Sequence, residues 1–531
     1  MLSFLRTRSS DSPSLRPPLR GLNWDGHVLA LALDTPGKSG DIALDLEGSF
    51  FSDATPDASG CVCFELPSVP GAIEAVVRAG RDGTPLVDAP LRLRFGVAES
   101  RGDRVDMRSP ITPHTGATAT RSVPFGVDCA APEVAIVVPV YDAPEAVERC
   151  LESVLEHTTG RARLIVIDDA SPNRAIAPLL ERYASRPNVI VLSNEINRGF
   201  TATANRGIRE AGRADVVLLN ADTRVGPNWL TGLRRAAYCA DDIATATAVS
   251  DNAGAFSVPE LERENALPPC WTFDETARAL WQQAGTAYPE LPTGNGFCMY
   301  IRRSVLDAVG ALDEAAFAQG YGEENDFCQR ASARGLRHLI AGNVLVQHAR
   351  SQSFGHERRA SLGAKGMAVL RERWPNYEAD VAATLHSHAR RALDWRVRRI
   401  FAVASAENRP KIRVLHMGSA IPQSNAHDAW RLVFNGDDVD LWRNDDGVAV
   451  SHAPHCGGAD ADPTPFDEHI WQWLQNYAIE VVIASDEMPP AVERAARALG
   501  IPVAPAAHRI DAQDAVARAV ASARSFADAT P

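Results

Sequence analysis

Four apolar runs separated by helical stretches constrain this chain more than anything else in it. Val134-Ala135-Ile136-Val137-Val138, Leu164-Ile165-Val166-Ile167, Val189-Ile190-Val191-Leu192 and Val216-Val217-Leu218-Leu219 are continuous rather than alternating in polarity. Strands of that kind bury both faces, which is the condition of a parallel sheet covered by helices. After the first run, Asp142-Ala143-Pro144-Glu145 is expected to cap a helix carrying Val147, Leu151, Val154 and Leu155 on one face. Strand, helix and strand in alternation therefore predict an open α/β core. Ligands of such sheets gather beyond the carboxyl ends of the strands.

The rest of the chain divides around this core. With 531 residues it exceeds a single hydrophobic core. Residues 1–21 are expected to be a disordered tail, rich in arginine and lacking an apolar segment of signal-peptide length. Over 22–100 the polarity alternates with period two. Val28–Leu33, Ile42–Leu46, Val62–Leu66 and Leu91–Phe95 read there as strands of a small β-sandwich. Trp24, at its start, is expected to pack in the core rather than stack on a sugar. Residues 101–132 lack a period and read as a linker. The α/β core spans 133–400, with the Arg-rich helix near Arg390–Arg399 closing it. A second, Rossmann-like α/β unit spans 410–531, with strands at Ile412–Leu415, Val439–Trp442, Glu480–Ile483 and Ile501–Val503 and a helix at Pro490–Leu499. Met417-Gly418-Ser419-Ala420 carries only one glycine, so that unit lacks a Gly-rich phosphate loop.

Charge and cysteines limit the setting. A formal net charge of -13 argues against nucleic acid as a partner and against nonspecific adhesion to anionic membrane. Nine scattered cysteines show no zinc-ligand spacing, and their odd number suits a reducing compartment. No apolar run is long enough to span a bilayer. A cytoplasmic protein is expected, with room for peripheral membrane contact.

The chemistry concentrates at strand ends. Asp222 follows the fourth run in Asn220-Ala221-Asp222-Thr223. Glu323-Glu324-Asn325-Asp326 opens a later helix, and His348 ends the apolar run Val344-Leu345-Val346-Gln347. A carboxylate, a helix-borne acid and an imidazole compose a metal-diphosphate site with a general base. Val137-Val138-Pro139-Val140-Tyr141, Asp168-Asp169-Ala170-Ser171, Asn197-Arg198-Gly199-Phe200, Asn220-Ala221-Asp222, Gly294-Asn295-Gly296-Phe297 and Gly320-Tyr321-Gly322-Glu323-Glu324-Asn325-Asp326 follow one another in this order. That series resembles family 2 glycosyltransferases, including bacterial rhamnosyltransferase-like and O-antigen enzymes, over about Val134 to Trp374. Each motif alone is weak; the ordered set is specific.

The resemblance implies a GT-A fold and inverting transfer of a sugar from a nucleoside-diphosphate donor (UDP, dTDP or GDP) to a hydroxyl. The acceptor would be a glycan or lipid-linked glycan in surface polysaccharide synthesis. It also implies a divalent ion, Mn2+ or Mg2+, on Asp222, with His348 as a further ligand. An imidazole ligand tilts the choice toward manganese. Glu324 occupies the position of the catalytic base, where the family usually has an aspartate. Asn220 stands where the family often has the first acid of Asp-x-Asp, which leaves a sparser ligand set. Pro139, Tyr141, Asp168, Asp169, Asn197, Gly199, Asn205, Asn220, Ala221 and Asp222 are the donor-binding candidates. Gly294, Asn295, Gly296, Glu323 and Trp271 are the candidates for the sugar and acceptor side, with 250–288 as an acceptor loop.

Each position also has a plainer role open to it. Asp168 and Asp169 suit an Asx turn, Asn205 a helix-surface amide, Gly294–Gly296 a tight turn, and Asp326 an i,i+4 ion pair with Arg330. Two other functions compete with sugar transfer. A sugar-nucleotide pyrophosphorylase needs a Gly-rich, Arg-bearing loop after the first core strand, where Val140-Tyr141-Asp142-Ala143-Pro144 stands. A noncatalytic carbohydrate-binding or scaffold protein would rely on the β-sandwich.

Overall fold

The computed structural model describes residues 13–34, 40–69, 71–103, 133–286, 288–349, 356–417, 427–435, 438–443, 449–454, 464–484, 488–505, 516–517, 520–521 and 524. It separates into two compact units, residues 1–117 with 386–403, and residues 118–385 with 404–531. Most of the expected tail (1–12), most of the linker (104–132) and Gly418–Ala420 lie outside the described residues.

The first unit packs two four-stranded antiparallel sheets over one apolar core. One sheet runs in the order Cys61–Glu65, Val28–Leu33, Leu19–Trp24, Glu99–Gly102. The other runs Ser49–Ala54, Ile42–Leu46, Ala72–Ala79, Leu91–Arg94. Leu19 begins a strand, so order sets in before residue 22. Trp24 is fully buried and its indole N–H donates to the Arg94 carbonyl, a packing role that leaves no face for a sugar.

The helix His388–Ala402 also belongs to this unit, which corrects its expected place in the α/β core. Its Trp395 enters the sandwich core, 1% exposed, and donates from the indole nitrogen to the Leu46 carbonyl at 3.0 Å. Arg398 donates to the Phe50 carbonyl beside it at 3.1 Å. Trp395 and Arg398 share the helix face turned to the sandwich, roughly opposite the stripe Leu393, Val397 and Ile400. Trp395→Ala is expected to destabilise this unit by about 3–5 kcal/mol, the usual cost of emptying an aromatic core site. A urea melt followed by intrinsic fluorescence measures it, and an unchanged midpoint would contradict the placement.

The second unit holds the α/β core. Its eight-stranded sheet has the order Val189–Ser193, Ala162–Asp168, Val134–Val140, Asp215–Leu219, Cys298–Ile301, Ile243–Val249, Arg337–His348, Thr223–Val225. The first four strands are parallel, and Cys298–Ile301 runs against both of its neighbours. The four apolar runs are thus the parallel half of a mixed sheet. Helix Phe200–Glu210 lies close on this half because Gly207 has no side chain; a Cβ there would collide with Val137. Helix Pro144–His157 starts at Ala143 in a left-handed conformation with no side-chain cap, so Asp142 does not cap it as expected.

The last part of the chain adds a six-stranded sheet: Ser451–Pro454, Asp438–Arg443, Asp428–Asn435, Arg413–Met417, Val481–Ala484, Val503–Pro505. Helices Thr464–Asn476 and Pro490–Leu499 share its apolar core. Glu480 pins it to the rest of the second unit. Its nearly buried carboxylate accepts from Asn228 at 2.9 Å, Arg278 at 3.1 Å and Gln282 at 3.0 Å. Among the described residues, no helix is long and apolar enough to cross a membrane.

Candidate active site

A cavity of about 500 Å³ opens at the carboxyl ends of the parallel strands. Of the residues singled out in the sequence, Pro139, Tyr141, Asp169, Asn197, Gly199, Asn220, Ala221, Asp222, Asn295, Gly296, Glu323, Glu324 and His348 line it.

One part of its wall is made by strand pairing. Thr223 pairs with His348 in register, and the Ala349 N–H donates to the Asp222 carbonyl at 3.0 Å. Two residues distant in sequence are thereby set side by side, with His348 Nε2 3.3 Å from Asp222 Oδ1. His348 Nδ1 lies 3.1 Å from the Asn252 carbonyl, which can only accept, so Nδ1 carries the proton. In the neutral ring Nε2 then holds a lone pair facing the carboxylate. The ring is stacked on Phe297 at 5.3 Å and 17°, and the His348 N–H donates to Asp251 at 3.0 Å. A fixed imidazole nitrogen and a carboxylate oxygen about 3 Å apart suit adjacent positions on one divalent ion. The donor set therefore fits Mn2+ or Mg2+.

A three-residue cluster, Glu156, His157 and Asp274, also gathers possible ligand atoms, but none of its members lines the cavity. Arg224 pairs with Asp274 at 3.0 Å, so part of that negative charge is already balanced.

A second part of the wall is the start of helix Glu323–Ser332, entered through Gly322 at φ 138°. Glu323 is 3% exposed and accepts the Gly322 N–H at 3.1 Å. Oε2 of Glu324, partly buried beside it, has no hydrogen-bond partner. Burial pushes both carboxyls above the usual range. The Glu324 charge raises Glu323 further, while the hydrogen bond from Glu323 lowers Glu324 in part. The rise is the larger at Glu323. Asp326 turns away from the cavity. It is 1% exposed and paired with Arg330 at 2.8 Å, Arg373 at 3.1 Å and Trp374 at 3.1 Å. Glu324 and Asp326, two positions apart, leave the helix in nearly opposite directions, one to the cavity and one to the core.

Asp169 shapes a third part. Its carboxylate accepts from Asn194 at 2.7 Å and from the backbone N–H groups of Arg198 at 2.8 Å and Gly199 at 2.9 Å. It folds the loop that leads into helix Phe200–Glu210. Gly199 sits at φ 84°, and a Cβ there would strike the Ala318 carbonyl.

Four expected site residues do not line the cavity. Asp168 accepts the N–H of Ser171, three residues on, at 2.9 Å, and so closes the turn after its strand. Asn205 is buried and clamps Leu312 through its N–H at 3.1 Å and its carbonyl at 2.9 Å. Gly294 donates to Cys328 Sγ at 3.1 Å and leaves room for Met299. Trp271 is 7% exposed and donates to the Ser405 carbonyl at 2.8 Å. The stretch taken as an acceptor loop holds a regular helix, Phe273–Gln283, begun by a capping box of Thr272 and Glu275.

Other residues that line it, Asp142, Phe297, Gln319 and Tyr321, were not among the expected site residues. Tyr321 takes φ 67° between two glycines, a left-handed conformation uncommon for a residue with a side chain. The Gly-Tyr-Gly triplet was the available signal.

Known proteins bear on this geometry. The sequence profile of "Glycosyl transferase family 2" matches residues 135–310, ending before Glu323 and His348. An uncharacterized glycosyltransferase of Bacillus subtilis is 30% identical over 18% of this chain and 27% of its own length. An N-acetylglucosaminyltransferase of Sinorhizobium fredii is 32% identical over 23% of the chain and 30% of its own. The low-salt glycan biosynthesis hexosyltransferase Agl10 of Haloferax volcanii is 26% identical over 38% and 61%. The chain thus spans under a third of the length of the first two relatives. Among solved structures, the mannosyltransferase PcManGT of Pyrobaculum calidifontis, in complex with GDP-Man and Mn2+, aligns with 52% of this chain and 76% of its own. The identity is 17% and the TM-score 0.35, a likeness too slight to argue from. The profile match and the relatives agree that this part of the chain is similar to glycosyl transferase family 2, and it folds here as a mixed α/β sheet with a cavity at its strand ends.

Proposed function

We propose that the cavity transfers a sugar, with inversion, from a nucleoside-diphosphate sugar to an acceptor hydroxyl, in the building of a surface polysaccharide or glycan. The observation that carries this reading is the unpartnered Glu324 Oε2 in the same cavity as the Asp222–His348 pair. Asp222 and His348 would hold Mn2+ or Mg2+. A bound divalent ion offsets the charge of the leaving diphosphate and fixes its position. Pro139 and Tyr141 face the base, and Asn220 and Ala221 the ribose and diphosphate side. Asn295 and Gly296 frame the sugar or acceptor.

Glu324 takes the proton of the acceptor hydroxyl as that oxygen attacks the anomeric carbon. Burial raises its basicity, and Glu323 restrains the rise by donating a hydrogen bond. Attack from the side opposite the diphosphate inverts the centre. Alignment of the two substrates in one cleft supplies much of the acceleration. Asp169 contributes by holding the loop rather than by touching the donor, since internal N–H groups occupy its oxygens. The relatives transfer N-acetylglucosaminyl and hexosyl groups by name, which favours a hexosyl donor here.

The test is a panel of UDP-, dTDP- and GDP-sugars with Mn2+, followed by release of nucleoside diphosphate and by NMR of the product anomer. Release from one donor with an inverted product is expected. Silence across the panel with both Mn2+ and Mg2+, or a retained anomer, overturns the reading.

A further inference from the structure

Stacking on Phe297 fixes the plane of the His348 ring but not its flip. A half-turn about Cβ–Cγ keeps the stack and presents a ring carbon, in place of Nε2, to Asp222. The Asn252 carbonyl distinguishes the two orientations, because it accepts from Nδ1 and would face carbon after the half-turn. Asp251, one residue earlier, accepts the His348 backbone N–H at 3.0 Å. One dipeptide therefore holds both the backbone and the ring of this histidine.

That dipeptide belongs to a loop shaped by its own hydrogen bonds. None of residues 250–265 lines the cavity, so the loop stands behind the histidine rather than beside a substrate. The Ser250 hydroxyl donates to Asp251 Oδ1 at 3.0 Å and accepts the Asn252 N–H at 3.1 Å. Ser250 also bridges Ser257, whose hydroxyl accepts the Ala253 N–H at 2.8 Å. Asn265 closes the far end. Its backbone N–H donates to the Asp251 carbonyl at 2.9 Å. Its side-chain amide donates to the Glu260 and Arg263 carbonyls at 2.9 and 3.1 Å, and accepts the Glu260 N–H at 3.1 Å. Asp251 is buried, and a buried carboxyl group needs such donors.

We propose that Asp251 and Asn265 are positioning residues for the divalent ion, a role that rests on Asp222 and His348 holding it. Through the Asn252 carbonyl they select the flip of the His348 ring that aims Nε2 beside Asp222. Partners of a ligating imidazole fix its tautomer and orientation, and losing one costs roughly 10- to 100-fold in metal affinity. Asn265 lies outside the cavity, so its effect passes through Asp251 and Asn252.

Titration of the full chain with Mn2+ alone, the free ion counted by its EPR signal, tests this together with pulsed EPR of the bound ion. A nitrogen coupling from a bound imidazole is expected in the wild type. Asp251→Ala and Asn265→Ala should each bind Mn2+ about 10- to 100-fold more weakly, with that coupling reduced. Asp251→Asn keeps Oδ1, the atom that accepts both the His348 N–H and the Ser250 hydroxyl. It should restore affinity to near the wild type, a rescue that a purely electrostatic role would not give. Wild-type affinity and coupling in both alanine variants overturn the positioning role and leave the ion on Asp222 and His348. Equal losses in Asp251→Asn and Asp251→Ala overturn it as well. Absence of nitrogen coupling in the wild type removes His348 from the ion, and the positioning role falls with it.

Discussion

Glu324→Gln is expected to lower kcat/KM for sugar transfer by roughly 100- to 10,000-fold, the range ascribed to a positioned proton acceptor. Donor affinity should change little, because the amide keeps the shape of the carboxyl. The pH profile supplies the sign. A base works when deprotonated, so the rate should climb as pH rises through the Glu324 pKa and then level off. Burial sets that pKa above the ordinary carboxylate range, so the climb should occur at higher pH than for an exposed glutamate. The limb should vanish in Glu324→Gln. Glu323→Ala removes the donor that lowers Glu324, and should move the limb to still higher pH. Glu323→Gln retains an N–H donor and should move it less. A profile with no acid limb in the wild type, or transfer by Glu324→Gln at near wild-type rate, would assign the base elsewhere.

Asp222→Ala is expected to weaken Mn2+-dependent donor binding by at least about 100-fold. Loss of an outer partner of a metal ligand costs roughly 10- to 100-fold, and loss of the ligand itself costs no less. Isothermal titration of a nucleoside diphosphate, with Mn2+ and with chelator, reads this out. In the wild type the chelator should reduce affinity to the level of the variant; in Asp222→Ala it should change nothing. His348→Ala should behave in the same direction. Equal affinity of the wild type with and without chelator would refute the ion on this pair.

The sequence made the parallel half of the central sheet legible because full burial writes itself as unbroken apolar runs. It also pointed to Asp222, Glu324 and His348, since strand ends and a helix start are where charged residues interrupt such runs. The other half was harder to see. Ile243–Val249 alternates alanine and threonine and reads as neither apolar nor amphipathic, yet it is buried throughout. Ser49–Ala54 and Ala72–Ala79 were missed for a similar reason: two buried serines in the first, and Glu74 and Arg78 in the second, dilute the apolar pattern. Side-chain direction explains the misplaced site residues. Asp168 and Asp169 are neighbours on one strand end, and only the second reaches the cavity, because successive side chains leave a strand on opposite faces. Asn205 and Trp271 carry polar groups whose partners, Leu312 and Ser405, are remote in sequence. Arg390–Arg399 was assigned by adjacency to the central domain, while its Trp395 answers to a core laid down by the first hundred residues.

Glu480 has a practical bearing on anyone trimming this protein to a minimal catalyst. Cutting the chain near residue 404 would leave Arg278, Asn228 and Gln282 without their shared acceptor, exposing a guanidinium that is now largely shielded. The terminal sheet is therefore better regarded as a buttress of the central sheet and its helices than as a removable appendage.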